Sequence, residues 1–145
     1  MTRPRRGCKL RTVPDTSSTS ASHPFATSIA PWLAVGRAQE AFDFYKAAFG
    51  AVELYRLEDD DGKLAVAQLS IKGAAFWIQE DVDASPKTAA GSVRLILSVE
   101  DPDAVFEDAI ASGAVMMKPI SEDYGWRTGR VTDPFGYEWE ISRQL

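Results

Sequence analysis

The stretch FYKAAFGAVELYRLEDDDG, residues 44–62, decides the fold, because its spacing recurs later in the chain. At an offset of 63 residues, the tripeptide GAV at 50–52 falls on GAV at 113–115, and Gly62 falls on Gly125. The same offset relates two further pairs, Gly73 with Gly136 and Ile78 with Ile141. Turn glycines mark backbone positions with special φ and ψ demands, so their recurrence indicates two copies of one structural unit.

Each copy has the pattern of a βαβββ module. Residues 37–50, RAQEAFDFYKAAFG, carry apolar side chains at helical spacing and end at a glycine. Residues 101–113, DPDAVFEDAIASG, begin with Asp101 as a helix cap and Pro102 at the first helical position. Short alternating runs around these helices predict the strands. The predicted fold class is α+β, with two tandem βαβββ modules forming a curved mixed sheet around a cleft.

Composition divides the chain at about residue 27. Residues 1–27 are rich in Ser, Thr and Pro and contain five Lys/Arg against one acidic residue, which predicts a disordered basic tail. The rest is predicted to be one domain, residues 28–145. Its parts are listed in chain order: module one at 28–80, a linker at 81–91, and module two at 92–145.

Charge and cysteine usage exclude several classes of partner. After residue 27 the chain holds 11 basic and 20 acidic residues, and this acidic excess argues against nucleic-acid binding. No apolar run reaches the roughly 18 residues of a membrane span, so no membrane role is expected. The single cysteine, Cys8, excludes an intrachain disulfide and agrees with a cytoplasmic location. A small-molecule ligand is the partner we expect.

The repeat also relates chemically different residues on equivalent strands. On the last strands, Trp77 corresponds to Glu140; on the first strands, at an offset of 64, Ala30 corresponds to Arg94. Strands of these two kinds are the ones most suited to line a cleft shared by the modules. Glu140, within residues 124–142 (YGWRTGRVTDPFGYEWEIS), is therefore predicted to point into that cleft.

The chain resembles the vicinal oxygen chelate superfamily, which includes glyoxalase I, fosfomycin and bleomycin resistance proteins, and extradiol dioxygenases. The stretches that carry the resemblance are APWLAVGRAQEAFDFYKAAFGAVELYRLE at 30–58, VRLILSVEDPDAVFEDAIASGA at 93–114, and residues 124–142. The resemblance covers about residues 29–143 and implies the paired-module fold. It also implies a homodimer, with modules paired within or between chains.

In metal-bearing members of that superfamily, four pseudo-symmetric positions hold His, Glu or Gln around a divalent cation. By position, the resemblance carries them to Ala30, Trp77, Arg94 and Glu140. Only Glu140 could bind a metal there, because an indole only donates and an arginine is a cation. Gln79, on the same side of its strand as Trp77, is a weak substitute. We therefore predict no metal and no other cofactor.

Several roles remain open for Glu140. It could form an arginine–carboxylate fork with Arg94, or a salt bridge with Arg127 or Arg130. It could instead contact a ligand, act as a catalytic carboxylate, or bind a metal. A fork with Arg94 in a partly dry cleft is expected, so Arg94→Ala should lose considerable stability. Arg127 is expected to be the one of the two neighbouring arginines that reaches the cleft.

The predicted site therefore has one catalytic candidate, Glu140, and a set of ligand-binding candidates. They are Trp32, Trp77, Gln79, Arg94, Tyr124, Trp126 and Arg127. The leading hypothesis is a metal-independent binding protein whose ligand is aromatic or amphipathic, with an anionic or carbonyl group held by arginine. The alternative is a lyase, isomerase or dioxygenase using Glu140 as acid/base or metal ligand. A third possibility is a structural or regulatory protein whose cleft is filled by its own side chains.

Overall fold

The computed structural model describes residues 9–12, 25–89 and 93–145. Its elements are β1 (Lys9–Thr12), β2 (Trp32–Val35), α1 (Ala38–Phe49), β3 (Val52–Glu58), β4 (Leu64–Ile71), β5 (Ala74–Glu80), α2 (Pro86–Ala89), β6 (Leu95–Ser98), α3 (Pro102–Ala111), β7 (Val115–Asp123), β8 (Trp126–Thr132) and β9 (Glu138–Gln144). Apart from β1 and α2, the order is βαβββ twice. The predicted repeat and the α+β class are confirmed.

The two long helices have the ends that the sequence predicts. The Asp101 side chain accepts a 3.1 Å hydrogen bond from the backbone N–H of Ala104, and Pro102 is the first residue of α3. Helix α1 ends at Gly50, whose φ of 71° is left-handed and therefore favours glycine. Within the described ranges, no helix is long and apolar enough to cross a bilayer.

The strands form two separately hydrogen-bonded mixed sheets. The first has the order β1-β3-β4-β5-β2, and the second has the order β6-β9-β8-β7. In each module the first strand pairs in parallel with the last, β2 with β5 and β6 with β9. Equivalent positions of the repeat therefore lie side by side within a sheet.

Two short elements were not predicted. Strand β1 lies within the segment expected to be disordered and pairs antiparallel with β3, Lys9 opposite Glu58. An extended segment at this edge satisfies backbone groups of β3 that would otherwise lack a partner strand. The remaining tail residues, 1–8 and 13–24, lie outside the described residues. Helix α2 lies within the predicted linker 81–91.

The inner, helix-facing sides of the two sheets share one aromatic core. The rings of Phe76 on β5 and Trp139 on β9 are 5.7 Å apart. From α1, Tyr45 and Phe49 approach Trp139 at 5.6 and 4.8 Å between ring centroids. The inner faces meet here, so the outer face of each sheet points away from this core.

The DPFG turn contributes a buried carboxylate to this core. Asp133 is 3% exposed. Its Oδ1 accepts the backbone N–H groups of Phe135 and Tyr137, and its Oδ2 accepts the Tyr45 hydroxyl and the Trp139 indole N–H. Burial raises the pKa of Asp133, and the hydrogen bonds from Tyr45 and Trp139 offset part of that rise. The turn is thereby fixed to α1 of the other module.

Candidate functional site

A cavity of about 330 Å³, here called the Glu140 cavity, opens on the outer face of the second sheet. Its polar residues on the central strands are Thr128, Glu140 and Ser142, and its remaining lining residues are Ile96, Lys118, Asp123, Tyr124 and Trp126. This volume lies at the lower end of the range of small-molecule pockets. All of its lining comes from module two.

The register of β8 and β9 places these polar groups on one face. Successive strand residues point to opposite sides, and Trp139 and Ile141 are buried in the core, so Glu140 and Ser142 point outward. Across the ladder, Thr128 pairs with Ser142. The three polar side chains are therefore neighbours on the outer face.

A tight turn between β7 and β8 supplies the aromatic wall. Tyr124 and Gly125 have positive φ values of 50° and 81°, and the flanking residues Asp123 and Trp126 pair directly. Two left-handed residues in succession are typical of a two-residue hairpin turn. Tyr124, 94% exposed, stands at the rim, while Trp126 is 39% exposed. Both predicted aromatic residues therefore line the cavity.

Two hydroxyls at the base of the cavity retain unused hydrogen-bonding capacity. Thr128 Oγ1 and Ser142 Oγ are shielded from solvent and have no hydrogen-bond partner among the described residues. A buried polar group left unpaired costs about 1–3 kcal/mol. Sequence reasoning missed both residues, although Ser142 lies two positions after Glu140 and so shares its face.

Arg94 and Glu140 come together as predicted, but the expected fork is not formed. Arg94 Nη2 lies 3.9 Å from Glu140 Oε1, which is too long for a hydrogen bond. The Arg94 side chain is 41% exposed, so water competes with the carboxylate for it. Arg94 precedes β6 and is not fixed by the strand ladder. Glu140 is thus only loosely paired.

The prediction that Arg127 faces the cleft is wrong. Its Nε and Nη2 lie 3.0 and 2.8 Å from the two carboxylate oxygens of Asp103 on α3, so it points to the helix side of the sheet. The arginine on the outer face is Arg130, which is opposite Glu140 in the ladder. Arg130 pairs with Glu138 at 3.1 Å. Alternation along β8 accounts for this, because Trp126, Thr128 and Arg130 share the outer face and Arg127 points to the other side.

Three other predicted residues form a tryptophan platform on the outer face of the first sheet. The rings of Trp32 and Trp77 stack at 5.6 Å with an interplanar angle of 24°. Trp32 Nε1 donates a 2.8 Å hydrogen bond to Gln79 Oε1, which fixes the indole. Trp32 remains 51% exposed. Within one chain this platform lies on the first sheet and the Glu140 cavity on the second, so they do not form the shared cleft that the sequence predicts.

The residues at the superfamily's four metal positions do not fit a metal. Ala30 offers no donor atom, Trp77 stacks through its ring, and Arg94 places a cation beside Glu140. Gln79, the weak substitute, already uses its amide oxygen to accept the Trp32 indole. Considering only the described ranges, no three His, Cys, Asp or Glu side chains cluster so that they could hold a metal.

A larger depression of about 840 Å³ lies on the helix side, between the end of α1 and the start of α3. Its arginines are already bonded: Arg127 to Asp103, and Arg143 Nη1 to the backbone carbonyl of Glu100 at 2.8 Å. This depression contains none of the outward-facing residues of either sheet. We therefore centre the candidate site on the smaller Glu140 cavity.

Comparison with known proteins assigns the chain to a family. A family model described as the Glyoxalase/Bleomycin resistance protein/Dioxygenase superfamily matches residues 23–141. An uncharacterized protein of Mycobacterium bovis is 37% identical over 127 residues, which cover 81% of this chain and 84% of that protein. An uncharacterized protein of Arabidopsis thaliana is 32% identical over 114 residues, which cover 69% of this chain and 68% of that protein.

Solved structures share the fold. TioX from Micromonospora sp. ML1 has a TM-score of 0.65 and 25% identity, covering 82% of this chain and 97% of that one. The fosfomycin resistance protein FosX from Listeria monocytogenes has a TM-score of 0.65 and 17% identity, covering 84% and 96%. At this identity the likeness to FosX concerns the fold alone.

Proposed function

Because this chain belongs to the glyoxalase/bleomycin resistance protein/dioxygenase superfamily, we propose that it binds a small organic molecule without the aid of a metal. One observation carries the proposal: the Glu140 cavity combines an apolar and aromatic wall with two carboxylates, one lysine and two unpaired hydroxyls. Pockets that bind small molecules have this composition, mostly apolar with a few placed polar groups.

The wall of the cavity favours an aromatic or amphipathic ligand. Trp126 and Tyr124 present ring surface, and Ile96, 62% exposed, adds an aliphatic surface. Aromatic side chains prefer to stack on planar groups and combine large contact area with few rotatable bonds. The volume of about 330 Å³ suits a compound of one or two rings.

The proposal includes a homodimer in which each copy completes the other's site. Trp32 and Trp77 do not line the Glu140 cavity of their own chain, whose lining residues all belong to module two. Trp32 and Ile96 are apolar side chains that are 51% and 62% exposed on the two outer faces. A two-fold pairing that sets one copy's tryptophan platform over the other's cavity would bury both surfaces.

A cytoplasmic location is part of the same proposal. It is supported by the single cysteine of the sequence, which leaves no intrachain disulfide to form.

A thermal-shift screen of aromatic compounds tests the binding role. Each compound is tested with EDTA and again with Mn²⁺, Zn²⁺, Ni²⁺ or Fe²⁺. A ligand that binds only the folded chain raises its Tm, and we expect equal shifts with and without metal. The shifts should shrink in Glu140→Gln and persist in Glu138→Gln, a control on the same strand face. Compounds that act only with a divalent metal would contradict the proposal.

A lyase, isomerase or dioxygenase role is the second candidate, favoured by the loose pairing of Glu140. A cavity carboxylate whose nearest cation is 3.9 Å away could accept a proton from a bound substrate. Mass spectrometry of compounds recovered after incubation separates the two roles. An unchanged compound supports binding, whereas a product that is absent with Glu140→Gln supports catalysis.

A further inference from the structure

We propose that the Glu140 cavity selects ligands anchored by a hydrogen-bond-donating cation, a primary ammonium joined by a short chain to an aromatic ring. This inference rests on the proposed function and names the ligand class. It reverses the expectation from the sequence, which was an anionic or carbonyl anchor held by arginine.

The cavity presents three acceptors close together. On the outer face, Thr128 pairs with Ser142, and Glu140 is the next outward residue on β9. Same-face neighbours on paired strands lie about 5–8 Å apart, within reach of one small head group. A primary ammonium has three N–H donors and no acceptor, so the Glu140 carboxylate can accept from it. A ligand carboxylate would instead meet the negative charge of Glu140.

Two of the three arginines that could hold an anion are committed elsewhere, and the third, Arg94, does not line the cavity. Arg127 forms two hydrogen bonds with Asp103 on the helix side. Arg130 pairs with Glu138. Arg94, 41% exposed, lies beside Glu140 but outside the cavity lining. None of the three points a free guanidinium into the cavity.

The aromatic lining also favours a cation. The lining contains two carboxylates, Glu140 and Asp123, and one ammonium, Lys118, while the Arg94 guanidinium lies 3.9 Å from Glu140 just outside it. Trp126 and Tyr124 add the electron-rich faces of aromatic rings, which attract a cation within about 6 Å. The hydroxyl oxygens of Thr128 and Ser142 have no partner among the described residues, although both are shielded from solvent.

Three compounds that share a phenylethyl group test this choice. Phenethylamine carries an ammonium, 2-phenylethanol a hydroxyl and 3-phenylpropionate a carboxylate. Each is titrated into the ¹⁵N-labelled full chain while the indole N–H signals of Trp32, Trp77, Trp126 and Trp139 are followed. Single Trp→Phe variants assign the first three signals, and the buried Trp139 serves as internal control. We expect phenethylamine to shift Trp126 with a Kd about tenfold below that of 3-phenylpropionate.

Two variants locate the head group. Glu140→Gln should weaken phenethylamine about tenfold, the usual size of a lost charge-assisted hydrogen bond, and leave 2-phenylethanol within about twofold. Glu138→Gln, on the same face but paired with Arg130, should leave both unchanged.

The outcomes separate this inference from the proposed function. If 3-phenylpropionate binds most tightly, or if Glu140→Gln leaves phenethylamine binding unchanged, the ammonium inference is wrong while small-molecule binding stands. If none of the three compounds moves the Trp126 signal, both the ligand class and the assignment of the cavity as the binding site are overturned.

Discussion

The hydroxyl of Tyr45, on α1, donates a 2.6 Å hydrogen bond to Oδ2 of Asp133, 88 residues further along the chain. Trp139 Nε1 donates to the same oxygen at 2.9 Å. The helix of module one is thereby bonded to the DPFG turn of module two. This contact ties the two modules together on the inner side of the sheets, away from the tryptophan platform and the Glu140 cavity.

Removing the Tyr45 hydroxyl should destabilise the chain. In Tyr45→Phe the buried carboxylate of Asp133 loses one donor and keeps its desolvation cost, so the free energy of unfolding should fall by about 1–3 kcal/mol. Tyr55→Phe, on the outer face of the first sheet, is the control and should change it by less than about 0.5 kcal/mol. Urea denaturation measures both. Equal losses in the two variants would show that the Tyr45 bond has no special role.

Stability should fall as the pH rises above the ordinary tyrosine pKa of 10.0. Burial raises the pKa of Tyr45 well above that value, so the folded chain retains a proton that the unfolded chain releases. The stabilisation is complete below pH 10 and is lost as the pH rises from there toward the raised pKa. Urea denaturation across pH 10 should show a smaller loss for Tyr45→Phe than for wild type. If the free energy of unfolding has the same pH dependence in Tyr45→Phe and wild type, Tyr45 is not the group responsible.

Loss of Arg94 should have little effect on stability, in contrast to the expectation from the sequence alone. The 3.9 Å separation from Glu140 and the 41% exposure of Arg94 describe a weak surface pair. Arg94→Ala should therefore change the free energy of unfolding by less than about 1 kcal/mol. Arg127→Ala removes two hydrogen bonds to α3 and should lower the Tm further. Thermal unfolding measures the loss of Tm in both variants. A larger loss in Arg94→Ala than in Arg127→Ala would contradict this account.

A charge on the outer face of the second sheet should weaken the proposed dimer. Ile96 is 62% exposed beside the Glu140 cavity, and Ile96→Asp would place a desolvated charge between the copies. Sedimentation equilibrium should show a dimer for wild type and a dissociation constant raised at least about tenfold for the variant. Ile110→Asp, on α3 and 38% exposed, is the matched control. A monomeric wild-type chain would overturn the shared site.

The sequence was sufficient to predict the fold because the glycines at its turns and helix ends are local signals that recur at a fixed spacing. Gly50 has φ of 71°, Gly113 has φ of 116° and Gly136 has φ of 96°, values that favour glycine wherever it occurs. Gly136 has a second constraint, because a Cβ there would lie 2.5 Å from the carbonyl oxygen of Pro86. A position that requires glycine can be recognised from the sequence without knowing which strands pair.

The site was only partly predictable because it depends on relations between strands. Glu140, Tyr124 and Trp126 were identified and share one cavity. Arg127 was placed on the wrong face, because it follows Trp126 directly in β8 and successive strand residues point to opposite sides. The 3.9 Å gap to Arg94 depends on the path of the chain before β6, for which the sequence carries no signal.

The central claim, metal-independent binding in the Glu140 cavity, is tested most directly by calorimetric titration of the strongest thermal-shift compound into the full chain in EDTA. This account predicts saturable binding of one compound per chain, weakened by Trp126→Ala and retained in Glu138→Gln. Binding that appears only after a divalent metal replaces the EDTA, or that Trp126→Ala leaves unchanged, would contradict it.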